Sequence, residues 1–203
     1  MLKNVHSVES GLIGKVFVID PGHGGKDPGA IYFNTQEKDI NLMISKNLKA
    51  KLEKKGAIVY LTRSDDYDLS NLNSLKRKKS DFDNRIMFID SIQPNLVISI
   101  HLNAEPSNKW GGMQIFYSND KNKKIASKLS NIIEVKRKVK KIKNVYLLNN
   151  IKYNSILIEY GFISNNSELK KLKNSNYISN LNNKISNALE YIYNCWKSMF
   201  YMV

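Results

Sequence analysis

Cysteine is almost missing: Cys195 is the only one in 203 residues, which excludes a disulfide framework and any metal site built on thiolates. It sits in an apolar stretch of helical look, where a buried structural thiol is expected. No run approaches the ~20 apolar residues of a membrane span. Residues 1–10 lack the apolar core of a signal peptide, so the chain is expected either to be cytoplasmic or to start after a removed export segment. Acidic residues are scarce, 18 against 32 Lys plus Arg, for a net charge of +14. That imbalance favours an anionic partner (nucleic acid, lipid or wall polymer), or is simply a Lys-rich solvated surface. No nucleic-acid-binding motif accompanies it, so no specific nucleic-acid partner is expected. Repeats and interdomain linkers are also lacking. With hydrophobic residues at 42%, the chain can build a core, and one domain over 15–199 behind a short segment, 1–14, is expected.

What is present reads as strands alternating with helices. Residues 16–19 form a short apolar run that ends in the glycine-rich turn Asp20-Pro-Gly-His-Gly-Gly25, as a buried strand delivering a tight loop would. From Glu37, apolar residues at Ile40, Met43, Ile44, Leu48 and Leu52 keep a helical period, with Gly56 placed to end it. Strands are predicted over 57–61, 96–100, 113–117, 145–148 and 155–159. Helices are predicted over 85–92, 121–134 and 176–199. Residues 64–80 read as an exposed loop, with Leu69, Leu72 and Leu75 able to form one amphipathic turn. Six of the eight residues 136–143 are Lys or Arg, predicted as a solvated loop or helix extension. The alternation predicts an α/β fold with a largely parallel sheet.

In such sheets, active sites gather at the carboxyl ends of the strands. His23 follows the first strand, His101 follows Ile100 directly, and Glu159 lies late in Ile156-Leu-Ile-Glu159. Glu37 opens a helix and is a fourth candidate. Histidine and carboxylate are the usual ligands of a catalytic zinc, three of them leaving one position open. Each has an ordinary role as well: a loop histidine, or an acid complementing a helix dipole. Glu159 is harder to explain that way, because a carboxylate beside Leu157 and Ile158 costs several kcal/mol to bury without compensation.

The order of motifs is more specific. Val18-Ile-Asp-Pro-Gly-His-Gly-Gly25 with Asp27-Pro-Gly-Ala30, Glu37 ahead of Ile40-Asn-Leu42, Thr62-Arg63, Arg85, Ser99-Ile-His-Leu-Asn-Ala104 and Ile158-Glu-Tyr-Gly-Phe-Ile-Ser-Asn165 follow one another. This series resembles the zinc-dependent N-acetylmuramoyl-L-alanine amidases of the Amidase_3 type. The resemblance implies a twisted, mostly parallel six-stranded sheet flanked by helices. It implies Zn2+ held by His23, Glu37 and His101, with Glu159 as general base and then acid for a zinc-activated water. The substrate would be the amide between N-acetylmuramic acid and L-alanine in peptidoglycan. Arg63, Arg85 and Asn103 are candidate substrate contacts, the two arginines being equally well explained as structural ion pairs. Residues 100–104 and 145–148 look most like the amidase that endospore formers use on cortex peptidoglycan.

The chain departs from that family in Tyr160, where many relatives carry Val, and in a shorter, more basic 130–143. With no wall-binding repeat in it, targeting is expected from the surface or from a wall- or membrane-anchored partner protein. Action outside the cytoplasmic membrane is expected from where the substrate lies, with His6 a bystander. The alternatives are a zinc peptidase acting on stem peptides and a non-catalytic peptidoglycan-binding or assembly subunit.

Overall fold

A computed structural model of the chain describes residues 11–200 except 108, with side chains as far as 195; His6 and the rest of 1–10 lie outside the described residues. In chain order the elements are β1 (Val16–Pro21), β2 (Ile31–Tyr32), β3 (Thr35–Gln36), α1 (Glu37–Glu53), β4 (Ile58–Leu61), α2 (Arg77–Ile92) and β5 (Leu96–Asn103). There follow β6 (Gln114–Tyr117), α3 (Asp120–Ile132), β7 (Lys140–Lys141), α4 (Tyr146–Asn150), β8 (Ser155–Phe162), α5 (Asn166–Leu172) and α6 (Ser175–Phe200). Six strands form one sheet in the order β4-β1-β5-β8-β6-β7, and β2 and β3 make a separate small hairpin. β4, β1, β5 and β8 run parallel, and β6 opposes β8. This is the α/β single-domain fold with a six-stranded, mostly parallel sheet and flanking helices.

Strand alternation divides the core into two faces. Phe17, Ile19, Ile98, Ile100, Ile156 and Ile158 point to the larger layer, where Ile40, Ile44, Leu48 and Leu52 of α1 and Ile178, Ile185 and Leu189 of α6 cover them. Val18, Val97 and Leu157 point to the other, under Ile89 of α2 and Leu147 and Leu148 of α4. By the same alternation Asp20, Ser99, His101 and Glu159 emerge on the α2 face, beyond the reach of that smaller apolar cluster. The register confirms their adjacency: Asp20 pairs with Ser99, and His101 with Glu159.

Several local expectations are corrected. Residues 145–148 form the start of helix α4, not a strand. Leu147 and Leu148 are consecutive and both buried, which one turn of helix permits and a half-exposed strand does not. The sixth strand is Lys140–Lys141 in the basic run, paired parallel to β6 through Phe116 and Tyr117. Helix α2 begins eight residues before Arg85, and Leu72 and Leu75 are fully exposed, with no amphipathic turn over 69–75. Cys195 is half-exposed, not buried, because it lies at the edge of the covered face of α6.

Candidate metal centre and active site

β1 hands the chain to a turn in which His23 adopts a left-handed φ of 64°. That conformation is uncommon for a residue with a side chain, and here it swings the imidazole back over the sheet end. Two glycines make room. A Cβ on Gly22 would lie 2.2 Å from Cε1 of His101, and one on Gly29 would lie 2.7 Å from both Glu37 Oε2 and His23 Cδ2. Arg63 supports the turn from below. Its side chain is fully buried, with Nε donating to Pro21 O and Nη2 to Gly22 O and Lys38 O.

Glu37, the first residue of α1, is buried between the two imidazoles. Oε2 lies 3.1 Å from His23 Nε2, and Oε1 lies 3.1 Å from His101 Nδ1. The same carboxylate accepts from the backbone N–H of Ala30 and Leu102 and from Asn41 Nδ2. Burial pushes this carboxyl up, but the hydrogen bonds and charge of His101 and His23 outweigh it and hold Glu37 well below the carboxylate range. His23 is anchored on its other side, where Nδ1 lies 3.0 Å from Asp27 Oδ2. Burial pulls His23 down, Glu37 and Asp27 raise it, and the net shift is upward.

The donor atoms of His23, Glu37 and His101 all lie within 4.8 Å of one another. Two imidazole nitrogens and one carboxylate are a donor set that suits zinc. An acid on the far nitrogen of His23 and three N–H donors on Glu37 hold these side chains in place, as outer partners do at metal sites. The residues fit the ion the resemblance implies.

Glu159 stands beside this cluster, in register with His101. Its Oε2 is buried and has no hydrogen-bond partner among the described residues. Burial raises the carboxyl, His101 lowers it and Glu37 raises it further, leaving it pushed up to about 7. All four side chains open on one cavity of about 450 Å³ between the ends of β1, β5 and β8 and the α2 and α4 side.

Asn103 also lines that cavity. Arg85 borders it but is only 1% exposed, and its guanidinium is spent inside. Nε donates to both oxygens of Asp81, Nη1 to Asp20 Oδ1 at 2.7 Å and to Pro21 O, and Nη2 to His23 O. Arg63 and Arg85, expected either to contact substrate or to pair internally, both donate to internal partners in the structure. Burial raises Asp20, but Arg85 and the Thr62 hydroxyl overcome this and hold it below the usual range. Asp20, Asp27 and Asn41 escaped the sequence reading. Asp20 and Asp27 stand inside the glycine-rich motif, and Asn41 stands one turn after Glu37, four residues on.

Residues 17–191 match the family model described as N-acetylmuramoyl-L-alanine amidase. The chain belongs to that family. It is 39% identical over 176 residues to the germination-specific N-acetylmuramoyl-L-alanine amidase of Bacillus subtilis, an alignment covering 82% of this chain and 74% of that one. Against the B. subtilis amidase LytC identity is 32% over 183 residues, 86% of this chain but 35% of the longer relative. Among solved structures, the Clostridioides difficile CwlD amidase in complex with the GerS lipoprotein superposes with a TM-score of 0.80 at 35% identity, covering 89% of this chain and 98% of that one. The sheet, the helices and the His-Glu-His cluster of this chain are thus those of an amidase-family enzyme.

Proposed function

We propose that this amidase hydrolyses the bond between the lactyl carbonyl of N-acetylmuramic acid and L-alanine in peptidoglycan, that it uses zinc, and that its natural substrate is spore cortex. The observation that carries the catalytic reading is Glu159: a buried carboxylate oxygen without a partner, facing two imidazoles and a second carboxylate. The cortex assignment draws on the likeness to the germination-specific and CwlD amidases.

His23, Glu37 and His101 would hold the ion, which when bound supplies a Lewis acid that polarises the scissile carbonyl and acidifies water. Glu159 takes the proton from the attacking water as its oxygen joins the carbonyl carbon. It then delivers that proton to the alanine nitrogen as the C–N bond breaks, leaving a free lactyl carboxylate and a free amine. A carboxyl raised toward 7 by burial can do both near neutral pH, and a cation beside it moves that value back down. Asp27 keeps the imidazole of His23 in one tautomer, and Arg85, through the carbonyl of His23, keeps the turn in place.

Such a substrate lies outside the cytoplasmic membrane, and that is where we place the enzyme's action. No helix among the described residues is long and apolar enough to cross a membrane. An anchored protein partner fits this reading, since the structure similar to this chain was solved with a lipoprotein. Metal analysis of the purified protein, coupled to mass spectrometry of digested peptidoglycan, tests the proposal. The expected products are glycan bearing unsubstituted muramic acid and peptides beginning at L-alanine. Cuts inside the stem peptide would make it a peptidase, and intact substrate would make it a binding subunit.

A further inference from the structure

The basic run between α3 and β7 is not uniform. Along residues 135–140 exposure alternates, with Val135, Arg137 and Val139 half-buried and Lys136, Lys138 and Lys140 exposed. Val135 and Val139 pack on the core, so a period of two turns Arg137 inward with them, at a position where a third apolar residue would suffice for packing. The guanidinium there lies against the rings of Trp110, 5.3 Å from the centroid, and Phe162, at 5.2 Å. Nε donates to Gln114 Oε1 at 3.1 Å, and Gln114 is held in turn by donating from Nε2 to Lys138 O. Among the described residues no carboxylate pairs with Arg137, and its two terminal nitrogens have no hydrogen-bond partner.

An arginine packed against two rings and tied at Nε, with its paired N–H edge unspent, is preorganised for a carboxylate. It borders a groove of about 430 Å³ that it shares with Asn103, Glu105 and Lys140. Asn103 also lines the cavity of Glu159, so the two spaces adjoin at that residue. Gln114 is in register with Glu159 on the adjacent strand. With ~4.8 Å between strands and one side chain beyond, the guanidinium stands on the order of 10 Å from Glu159, which an extended peptide spans in about three residues.

We propose that Arg137 receives a carboxylate of the stem peptide two to three residues beyond the scissile amide, which makes this groove the peptide-side subsite. The inference rests on the amidase reading and adds to it a determinant of which stems are cut. Lys136 and Lys138, on the outward side of the same segment, take no part.

The experiment compares hydrolysis of two muramyl tripeptides, one with every stem carboxylate free and one with every stem carboxylate amidated. The proteins are the wild type, Arg137→Gln, Arg137→Lys and the surface double variant Lys136→Gln/Lys138→Gln. The wild type should favour the free acid by about 10-fold or more, as a charged hydrogen bond implies, chiefly through KM. Arg137→Gln should lose that preference while keeping its rate on the amidated substrate, Arg137→Lys should regain part of it, and the double variant should match wild type. Equal losses on both substrates in Arg137→Gln, as from a loosened sheet edge, would overturn the proposal, and so would a wild type that does not discriminate. If neither compound is cut, the amidase reading falls. Calorimetric binding of the free stem tripeptide then still decides the subsite: weaker binding to Arg137→Gln supports it, and equal affinity overturns it.

Discussion

Glu159 sits under opposing pressures. Its place on β8 removes it from water among isoleucines and leucines, which favours the neutral acid, while the adjacent imidazoles favour the charged one. A structural carboxylate would have been given hydrogen-bond donors, as Glu37 was; Oε2 of Glu159 has none among the described residues. Glu159→Gln keeps size and polarity but cannot shuttle a proton. We expect fold and bound metal to be retained while turnover falls by roughly 10²–10⁴-fold, read by muropeptide release beside metal content. His101→Ala should behave differently and lose metal together with activity; unchanged metal content would remove His101 from the ligand set. A third expectation concerns the buried pair Asp20–Arg85, 2.7 Å apart and nearly inaccessible. Asp20→Asn leaves Arg85 short of a charge partner and should cost about 3–5 kcal/mol at pH 7 by chemical denaturation. Because the folded carboxyl lies below its ordinary value, its contribution is complete above the unfolded value of about 4 and fades as pH falls through the folded one. The gap between wild type and variant should therefore narrow in acid. That Arg85 could be an ion-pair member was expected, but its partner was not legible beforehand: 65 positions separate Asp20 from Arg85, and only the sheet and α2 together make them neighbours.

Elements, rather than residues, set how little room there is around the glycine-rich turn. The end of β1, the start of α1 and the end of β5 converge on Glu37, and the gap between His101 and the β1 turn is one hydrogen atom wide at Gly22. Gly22→Ala should leave secondary structure by circular dichroism unchanged yet weaken metal binding by about 10-fold or more, since the ring of His101 must move. Undiminished affinity in a metal titration would mean that His101 does not need its present position. Elements are also where the sequence reading went astray. Val145-Tyr-Leu-Leu148 is a short apolar run, and such a run does not by itself distinguish strand from helix. Burial of two consecutive leucines against both α2 and β8 selected the helix. Lys140–Lys141 looks nothing like a strand, but at the sheet edge both side chains can stay in water while the backbone pairs with β6. Tyr160 is likewise tied in by distant elements: its hydroxyl donates to Asn182 Oδ1, and Asn182 donates to the carbonyl of Ile44. A buried polar chain thus joins β8, α6 and α1 in a position the sequence offered no reason to pair.

Across the whole molecule the charge of +14 remains without an internal counterpart. Lys136, Lys138, Lys141 and Lys143 are exposed on the edge formed by β7 and its flanks, beside the groove of Arg137. Replacing these four with Gln should weaken adsorption to anionic wall material and flatten its dependence on ionic strength, since exposed charges act over about 8–10 Å at physiological salt. Turnover of a small soluble muropeptide should hardly change. Sedimentation binding at two salt concentrations checks this, and identical curves for variant and wild type would reduce the charge to surface composition. At this scale the sequence by itself determined the α/β architecture and the mostly parallel sheet, and it set His23, His101 and Glu159 at strand ends. Those are consequences of short-range periodicity and of turn chemistry, which the chain writes locally. The tertiary structure alone decided which of the charged residues look inward. It sent Arg63 and Arg85 to hold the frame, brought Asp27 and Asn41 to His23 and Glu37, and separated Arg137 from the lysines around it. A guanidinium is placed by the sum of distant partners that desolvate and pair it, and that sum exists only once strands far apart in the chain lie side by side.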